Sequence, residues 1–178
     1  TTLFRSNFSK MFKIQFLDQN EKMQFAYQNT FAITTRQIGI MVATHGDDKG
    51  LVLPPKIAPT QVIIIPIYDN KSKKQVLAKA KEMQEFLSDF RVEIDNREGY
   101  TPGWKFHDAE LKGIPLRVEI GPRDLANKTV VLARRDTGEK KEIKLNKLGK
   151  EVPAKLDAIQ KNLFDKAKKF LDESRSEE

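Results

Sequence analysis

The stretch QVIIIPIYDNKSKKQVLAKAKEMQEFLSDFRVEI, residues 61–94, decides the fold. Val62 to Ile65 is an aliphatic run without polar alternation, the pattern of a strand covered on both faces. Asn70 can cap a helix reaching about Ser88, whose Val76, Ala80, Met83 and Leu87 recur at spacings of four, three and four and share one stripe. Phe90 to Ile94 is the next strand. Strand, long helix and strand imply a right-handed parallel crossover, and so an α/β domain.

Downstream, residues 95–104 (DNREGYTPGW) read as a loop and Phe106 to Lys112 as a short helix. Ile114 to Ile120 is a third strand, Gly121-Pro122 turns into a helical turn, and Val130–Arg134 with Lys140–Leu145 form a hairpin across Asp136-Thr137-Gly138. From Glu151 the chain is helical, with Leu156, Ile159, Leu163, Ala167 and Phe170 as the docking stripe before Asp172–Glu178 frays.

Upstream, LVLPPKIAP (51–59) holds three prolines, so it is neither helix nor central strand but a stiff connector. The domain boundary is expected at Pro59 or Thr60. Before it, Phe12, Ile14 and Phe16 alternate with polar neighbours, and Gln24 to Asn29 alternates again beyond a DQNEK turn, which suggests a hairpin. Thr34 or Thr35 can cap a helix to Thr44. Two strands and a helix are too little for a core of their own, and read as the edge of a larger sheet.

The 178 residues include no Cys and only His45 and His107. Disulfide scaffolds, thiolate metal sites and cysteine nucleophiles are excluded, and no metal is expected. No apolar run approaches the ~20 residues of a membrane span, and TTLFRSNFSK lacks the layout of a signal peptide. A cytoplasmic protein with no membrane partner is expected. The net charge is +7, with 14 basic against 10 acidic residues over 90–150, so a folded face rather than a tail carries the excess and can attract a polyanion such as RNA.

The phosphate-cradling, nucleophile-elbow, HExxH and CxxC motifs are all absent. His45-Gly46-Asp47-Asp48 reads as a helix-end turn. Two stretches carry more. QNTFAITTR (28–36) feeds a strand into a helix whose start bears Arg36, a side chain able to hold a nucleotide phosphate or stack on a purine. DNREGYTPGWKFHDAELKGIPLRVEIGPRD (95–124) interleaves Arg97, Lys105, Arg117 and Arg123 with Tyr100, Trp104 and Phe106. Single-stranded RNA is read by such mixtures: bases stack on aromatics, cations hold phosphates and carboxylates accept from base edges. Composition leaves a second reading open, in which Trp104 and Phe106 are core residues and the charges flank them.

The runs NFSKMF (7–12), FAYQN (25–29), TTRQIG (34–39), THGDDKGLVLPP (44–55), IAPTQVIIIPI (57–67), YTPGWKFHDAELKGIPLRVEIGPRD (100–124) and RRDTGEK (134–140) resemble, in order, prolyl-tRNA synthetase, a class II aminoacyl-tRNA synthetase, of the eukaryotic-cytosolic and archaeal type. The resemblance implies that residues 1–59 are the motif 3 end of the antiparallel catalytic sheet. It implies that 60–146 are the anticodon-binding domain, a five-stranded mixed sheet with three helices, and 147–178 a helical linker.

The implied function is ATP-dependent attachment of proline to tRNA(Pro), with Mg accompanying ATP and a homodimeric parent. Arg36 matches the catalytic, ATP-contacting motif 3 arginine and Thr34 a nearby nucleotide contact; Phe31 and Ala32 stand against the proline pocket. The implied anticodon residues are Arg97, Trp104, Lys105, Phe106, Glu110, Lys112, Arg117, Arg123 and Asp124. The family has Trp-Gly where Phe31-Ala32 stand, and a Ser-His pair and a Gly where this sequence has Thr1-Thr2 and Arg5; a methyl at Ala32 crowds a small pocket. Motifs 1 and 2 would lie upstream of Thr1, which is not a Met, so truncation or processing is expected and these residues alone should not form the adenylate site. A catalytically incomplete synthetase-derived module that binds RNA or protein is the alternative reading.

Overall fold

The computed structural model describes residues 2–5, 7–30 and 32–175, and falls into two compact units, residues 1–40 and 41–178. In the first, strand β1 (Thr2–Arg5) is followed by helix α1 (Asn7–Met11), strands β2 (Gln15–Leu17), β3 (Met23–Phe25) and β4 (Gln28–Thr30), and the start of helix α2 (Arg36–His45). β2 pairs antiparallel with β3, the expected hairpin, but the expected single strand 24–29 is two. The chain changes partner at Ala26, whose N–H donates to Ile14 and whose carbonyl accepts from Ser9 Oγ, and β4 then pairs with β1. Phe12, placed in a strand from sequence, instead follows α1 and stacks on Phe8 with ring centroids 6.0 Å apart. Among the described side chains of this unit only Ser9 is buried, so it has no apolar core among them.

The second unit is built on one sheet: β5 (Val62–Pro66), β6 (Val92–Ile94), β7 (Leu116–Ile120), β8 (Thr129–Arg134) and β9 (Lys140–Lys144), in the order β6-β5-β7-β8-β9. β5 is parallel to both neighbours and the β7-β8-β9 pairs are antiparallel, which is the five-stranded mixed sheet expected. Helix α3 (Lys73–Phe86) makes the β5–β6 crossover, and α4 (Pro102–Leu111) carries the chain from β6 past β5 to β7; the short α5 (Pro122–Asn127) and the long α6 (Leu148–Ser174) complete the unit.

Strand alternation sorts the two faces. Val62 and Ile64, Leu116, Val118 and Ile120, and Val130 and Leu132 pack with Val76, Ala80 and Met83 of α3 and with Val152, Leu156, Ile159 and Leu163 of α6. Ile63 and Ile65 face the other way, onto Ala109, Ile114 and Phe106. α3 and α4 therefore cover opposite faces, and β5 is the strand at which the crossovers switch sides.

Four local expectations are corrected. α3 starts at Lys73 rather than after Asn70, because the Asp69 carboxylate accepts from Ser72 N (2.8 Å) and Oγ (2.5 Å) and fixes the entry turn. α4 starts earlier than expected: Thr101 caps it, accepting from Trp104 N, and Pro102 occupies the first turn, where its missing N–H costs nothing. α6 starts at Leu148, one turn before the expected Glu151. Its apolar stripe ends sooner, with Leu163 buried, Ala167 half-buried and Phe170 exposed, yet the helix runs on to Ser174.

Residues 51–59, read from sequence as a stiff connector, lie partly buried on the second unit. Val52, Pro54, Pro55 and Ala58 are buried, Leu51 N donates to Leu111 O and Leu53 N to Gly113 O, each at 3.1 Å. Gly113 (φ +70) permits that approach, since an added Cβ would lie 2.6–2.7 Å from Leu51. Compactness thus divides the chain at Ile40/Met41, and the segment expected to end the preceding domain at Pro59 is strapped onto the α/β unit.

Candidate nucleic-acid interface

In open α/β sheets, ligands are taken outside the carboxyl ends of the strands, where the crossovers switch faces. Here that rim is formed by the segments after β5, β6 and β7, and most of the residues singled out from 95–124 lie along it or on α4.

Arg97 organises the first part. Its guanidinium donates to both carboxylate oxygens of Asp95 (3.0 and 2.7 Å) and to Asp108 Oδ2 (2.6 Å). The planar cation also lies 5.4 Å from the Tyr100 ring centroid and 5.0 Å from that of Trp104. The two rings stack on each other at 4.0 Å. Tyr100 and Trp104 stay 48% and 42% exposed, so one side of the stack is open, as a base-stacking platform needs.

The charges match. Hydrogen bonding from Arg97 holds the Asp95 carboxyl below its ordinary range, and both carboxylates raise the Arg97 guanidinium. Burial pushes Asp108 upward, but bonds from Lys112 and Arg97 outweigh it and leave it lowered.

Lys105 does not belong to this surface. Only 4% exposed, its ammonium donates 3.0 Å to the Asp95 carbonyl and braces the loop from beneath. Arg117 is buried too: as an odd-numbered residue of β7 it faces α4, donating to Glu119 Oε1 (3.0 Å), Glu110 Oε1 (3.2 Å) and the Phe106 carbonyl (3.4 Å). Its guanidinium lies 4.4 Å from the half-buried Phe106 ring, which Lys140 approaches at 5.3 Å. The strand Ile114–Ile120 was legible in the sequence, but not that its face at Arg117 would be closed by α4.

The remaining residues keep accessible atoms. Lys112 is exposed with one bond to Asp108 Oδ2 (2.9 Å), and Glu110 is half-buried. Asp124 caps the turn after β7 by accepting from Gly121 N (2.7 Å). Arg123 is exposed and makes no ion pair among the described residues.

Sequence reasoning passed over Asp95, Asp108 and Tyr100 as partners of the cations. It also missed a crevice of about 240 Å³ at the carboxyl ends of β5 and β6, where Lys73 pairs with Glu98 (2.6 Å) beside Tyr68.

In the first unit, Ala32, Thr34 and Arg36 are exposed, with Arg36 the first residue of α2 and Thr34 O accepting from Gln37 N. Phe31 lies outside the described residues.

The second unit is thus a five-stranded mixed α/β domain carrying a stacked aromatic–arginine platform on its carboxyl rim. Residues 61–155 match the anticodon binding domain family, and the chain belongs to that family. Over 172 residues, 96% of its length, it is 48% identical to proline–tRNA ligase 2 of Bacillus thuringiensis (strain Al Hakam) and of Bacillus anthracis. It is 43% identical over 169 residues to the proline–tRNA ligase of Natranaerobius thermophilus. The chain spans about a third of the length of these curated relatives, 36%, 33% and 35% respectively. No described helix is long and apolar enough to cross a membrane.

Proposed function

We propose that this chain serves a proline–tRNA ligase, reading the tRNA(Pro) anticodon through the unit on β5–β9 and contributing a motif 3 segment to ATP-dependent proline activation in the cytoplasm. Its supports are the alignment of 96% of the chain with about a third of an enzyme of that name and the Arg97–Tyr100–Trp104 stack within the anticodon-domain match. The assignment of 1–59 to the catalytic domain, 60–146 to the anticodon domain and 147–178 to a linker belongs to the same proposal.

The chemistry follows from the side chains. Proline anticodons carry two guanines; Arg and Lys donate to guanine O6 and N7, and carboxylates accept from its N1 and N2. Trp104 supplies the stacking face, Arg123 and Lys112 the accessible donors, and Glu110 and Asp124 the acceptors. Lys105 and Arg117 act by holding Asp95, Glu110 and Phe106 in place. In the catalytic reaction the proline carboxylate attacks the ATP α-phosphate and releases pyrophosphate, and prolyl then passes to the tRNA 3′ end. Arg36 and Thr34 would face the nucleotide, Mg would neutralise phosphate charge, Phe31 and Ala32 would border the proline pocket, and the parent would be a homodimer.

The deciding measurement is binding of anticodon stem–loops carrying GG against loops with one G replaced. Wild type should favour GG, and Arg123→Ala should narrow the gap by roughly 1–3 kcal/mol if it makes a bidentate base contact. Equal binding of all loops at every salt concentration would refute anticodon reading and favour the incomplete-module alternative. The 178-residue chain alone should show no proline-dependent ATP–pyrophosphate exchange, because residues resembling only motif 3 are present in it.

A further inference from the structure

The cations of the 95–124 stretch are largely engaged by carboxylates. A different part of the same unit holds lysines that are not. Residues 140–150, KKEIKLNKLGK, contain five lysines and one glutamate. Lys140 pairs with Glu119 and Lys141 with Glu151, whereas Lys144, Lys147 and Lys150 make no ion pair among the described residues.

Sheet register brings part of this run against a second turn. Thr129 pairs with Lys144, and Leu145 N donates to Lys128 O at 2.9 Å, so the α5–β8 turn and the end of β9 are fastened together. Between them and α3 lies a cavity of about 590 Å³. Lys79, Lys128 and Lys144 line it, with the amide side chains Asn127 and Asn146, over Leu125 and Leu145. No lining residue is acidic. Lys79 has an i, i+3 partner in Glu82, an exposed pairing that competes weakly with an incoming anion.

Lys128 adds a second observation. It holds φ 56 and ψ 40, the left-handed conformation that ends α5. Helices ending this way usually place Gly or Asn there. Asn127 stands one residue too early, and a side-chain-bearing lysine occupies the turn at the cavity wall instead.

We propose that this cavity is an anion site that seats one nucleotide unit. The ammonium groups take the phosphate, the two leucines provide an apolar floor for the ring, and the asparagine amides meet its polar edge. Its volume is within the range of small-ligand pockets, and a nucleotide is the ligand class that combines a phosphate with a flat ring. The source is either a free nucleotide or a nucleotide of an RNA strand passing the carboxyl end of β7, since the start of β8 lies at that end by register.

The test uses the full chain and the double variant Lys128→Gly/Lys144→Gln. Glycine accepts φ 56 without strain and glutamine preserves the strand, so the variant should melt like wild type. Wild type and variant are titrated with AMP, inorganic phosphate and an RNA stem–loop, following the backbone amides of Asn127, Lys128 and Leu145. The variant should lose roughly tenfold or more in affinity for whichever nucleotide source binds, with the salt dependence of RNA binding reduced by about two charges. Loss confined to the stem–loop assigns the site to a strand, and loss of AMP binding as well assigns it to a free nucleotide. Unchanged binding of both overturns the site, and phosphate binding as tightly as AMP overturns the ring seat. The variant should leave GG discrimination intact, which separates this proposal from anticodon reading.

Discussion

At the scale of single residues, the rim shows that a cation's position in sequence says little about its work. Lys105 and Arg123 both lie in the basic–aromatic stretch, yet one is 4% exposed with its ammonium on the Asp95 carbonyl and the other stands in solvent. Their substitutions should diverge. Lys105→Met removes a buried donor from a buried acceptor and should cost about 1–3 kcal/mol by urea unfolding, weakening RNA binding only through a loosened loop. Arg123→Ala should stay within ~0.5 kcal/mol in stability and act on RNA binding alone. If both variants change stability alike, the division between strut and reader fails. The composition of the stretch was legible as an RNA-reading mixture, but the division within it was not. It depends on Asp95 and Asp108 folding back onto Arg97, and on α4 closing over Arg117, neither of which leaves a periodic trace.

At the scale of elements, two carboxylates, Asp136 and Asp47, fasten segments distant in sequence. Asp136, in the β8–β9 turn, is buried beneath a bidentate bond from Arg134 (2.9 and 2.7 Å) and accepts from Asn162 Nδ2 (2.5 Å), which ties α6 to the hairpin. Asp136→Ala would remove the bidentate partner of Arg134, leaving it Glu139 at 3.7 Å, and would remove the acceptor of Asn162 Nδ2. A loss of about 1–3 kcal/mol is expected in urea unfolding, against under ~1 kcal/mol for the exposed Lys161–Asp165 pair on the α6 helix.

Asp47 holds the strap, accepting 2.7 and 2.5 Å bonds from Arg135, whose Nε donates to the Glu110 carbonyl (2.8 Å) at the end of α4. That hydrogen bonding lowers the Asp47 carboxyl from 3.8 to about 2. A lowered acid stabilises the fold above its ordinary pKa and loses that contribution as pH falls through the folded value. The difference in melting temperature between wild type and Asp47→Asn should therefore be full above about pH 4 and shrink toward pH 2. A difference constant across that window would mean that the Asp47 charge contributes nothing.

At the scale of the whole molecule, strong local periodicity was what the sequence made readable. The aliphatic run of β5, the Val76–Ala80–Met83 stripe and the turn at Asp136–Gly138 pointed to a parallel crossover and a hairpin; the strand order β6-β5-β7-β8-β9 came only with the structure. The burial of the strap, which its composition does not announce, has a physical reason. Three prolines do bar residues 51–59 from helix and central strand, but they do not keep them in solvent. Proline lacks the backbone donor that is costly to bury, so a Pro-rich segment can lie against a core with Leu51 and Leu53 bonded to α4 and the turn after it, Lys56 N donating to Gln160, and the carbonyls of Pro55 and Ala58 accepting from Arg91.

The compact unit that begins at Met41 gives the last expectation. A polypeptide of residues 41–178 should unfold in one cooperative transition. Starting instead at Thr60 removes Val52, Pro54, Pro55 and Ala58 from the core and the Asp47 carboxylate from the buried Arg135 guanidinium. Burial of those side chains at about 25 cal/mol per Å² supports a loss of several kcal/mol, on the order of 3–6, before the stranded guanidinium is counted. Against a typical domain stability of about 5–15 kcal/mol, the shorter chain should melt far lower or remain partly unfolded. Equal urea midpoints for the two polypeptides would show that the strap lies on the domain without stabilising it, and would support Pro59 as the boundary.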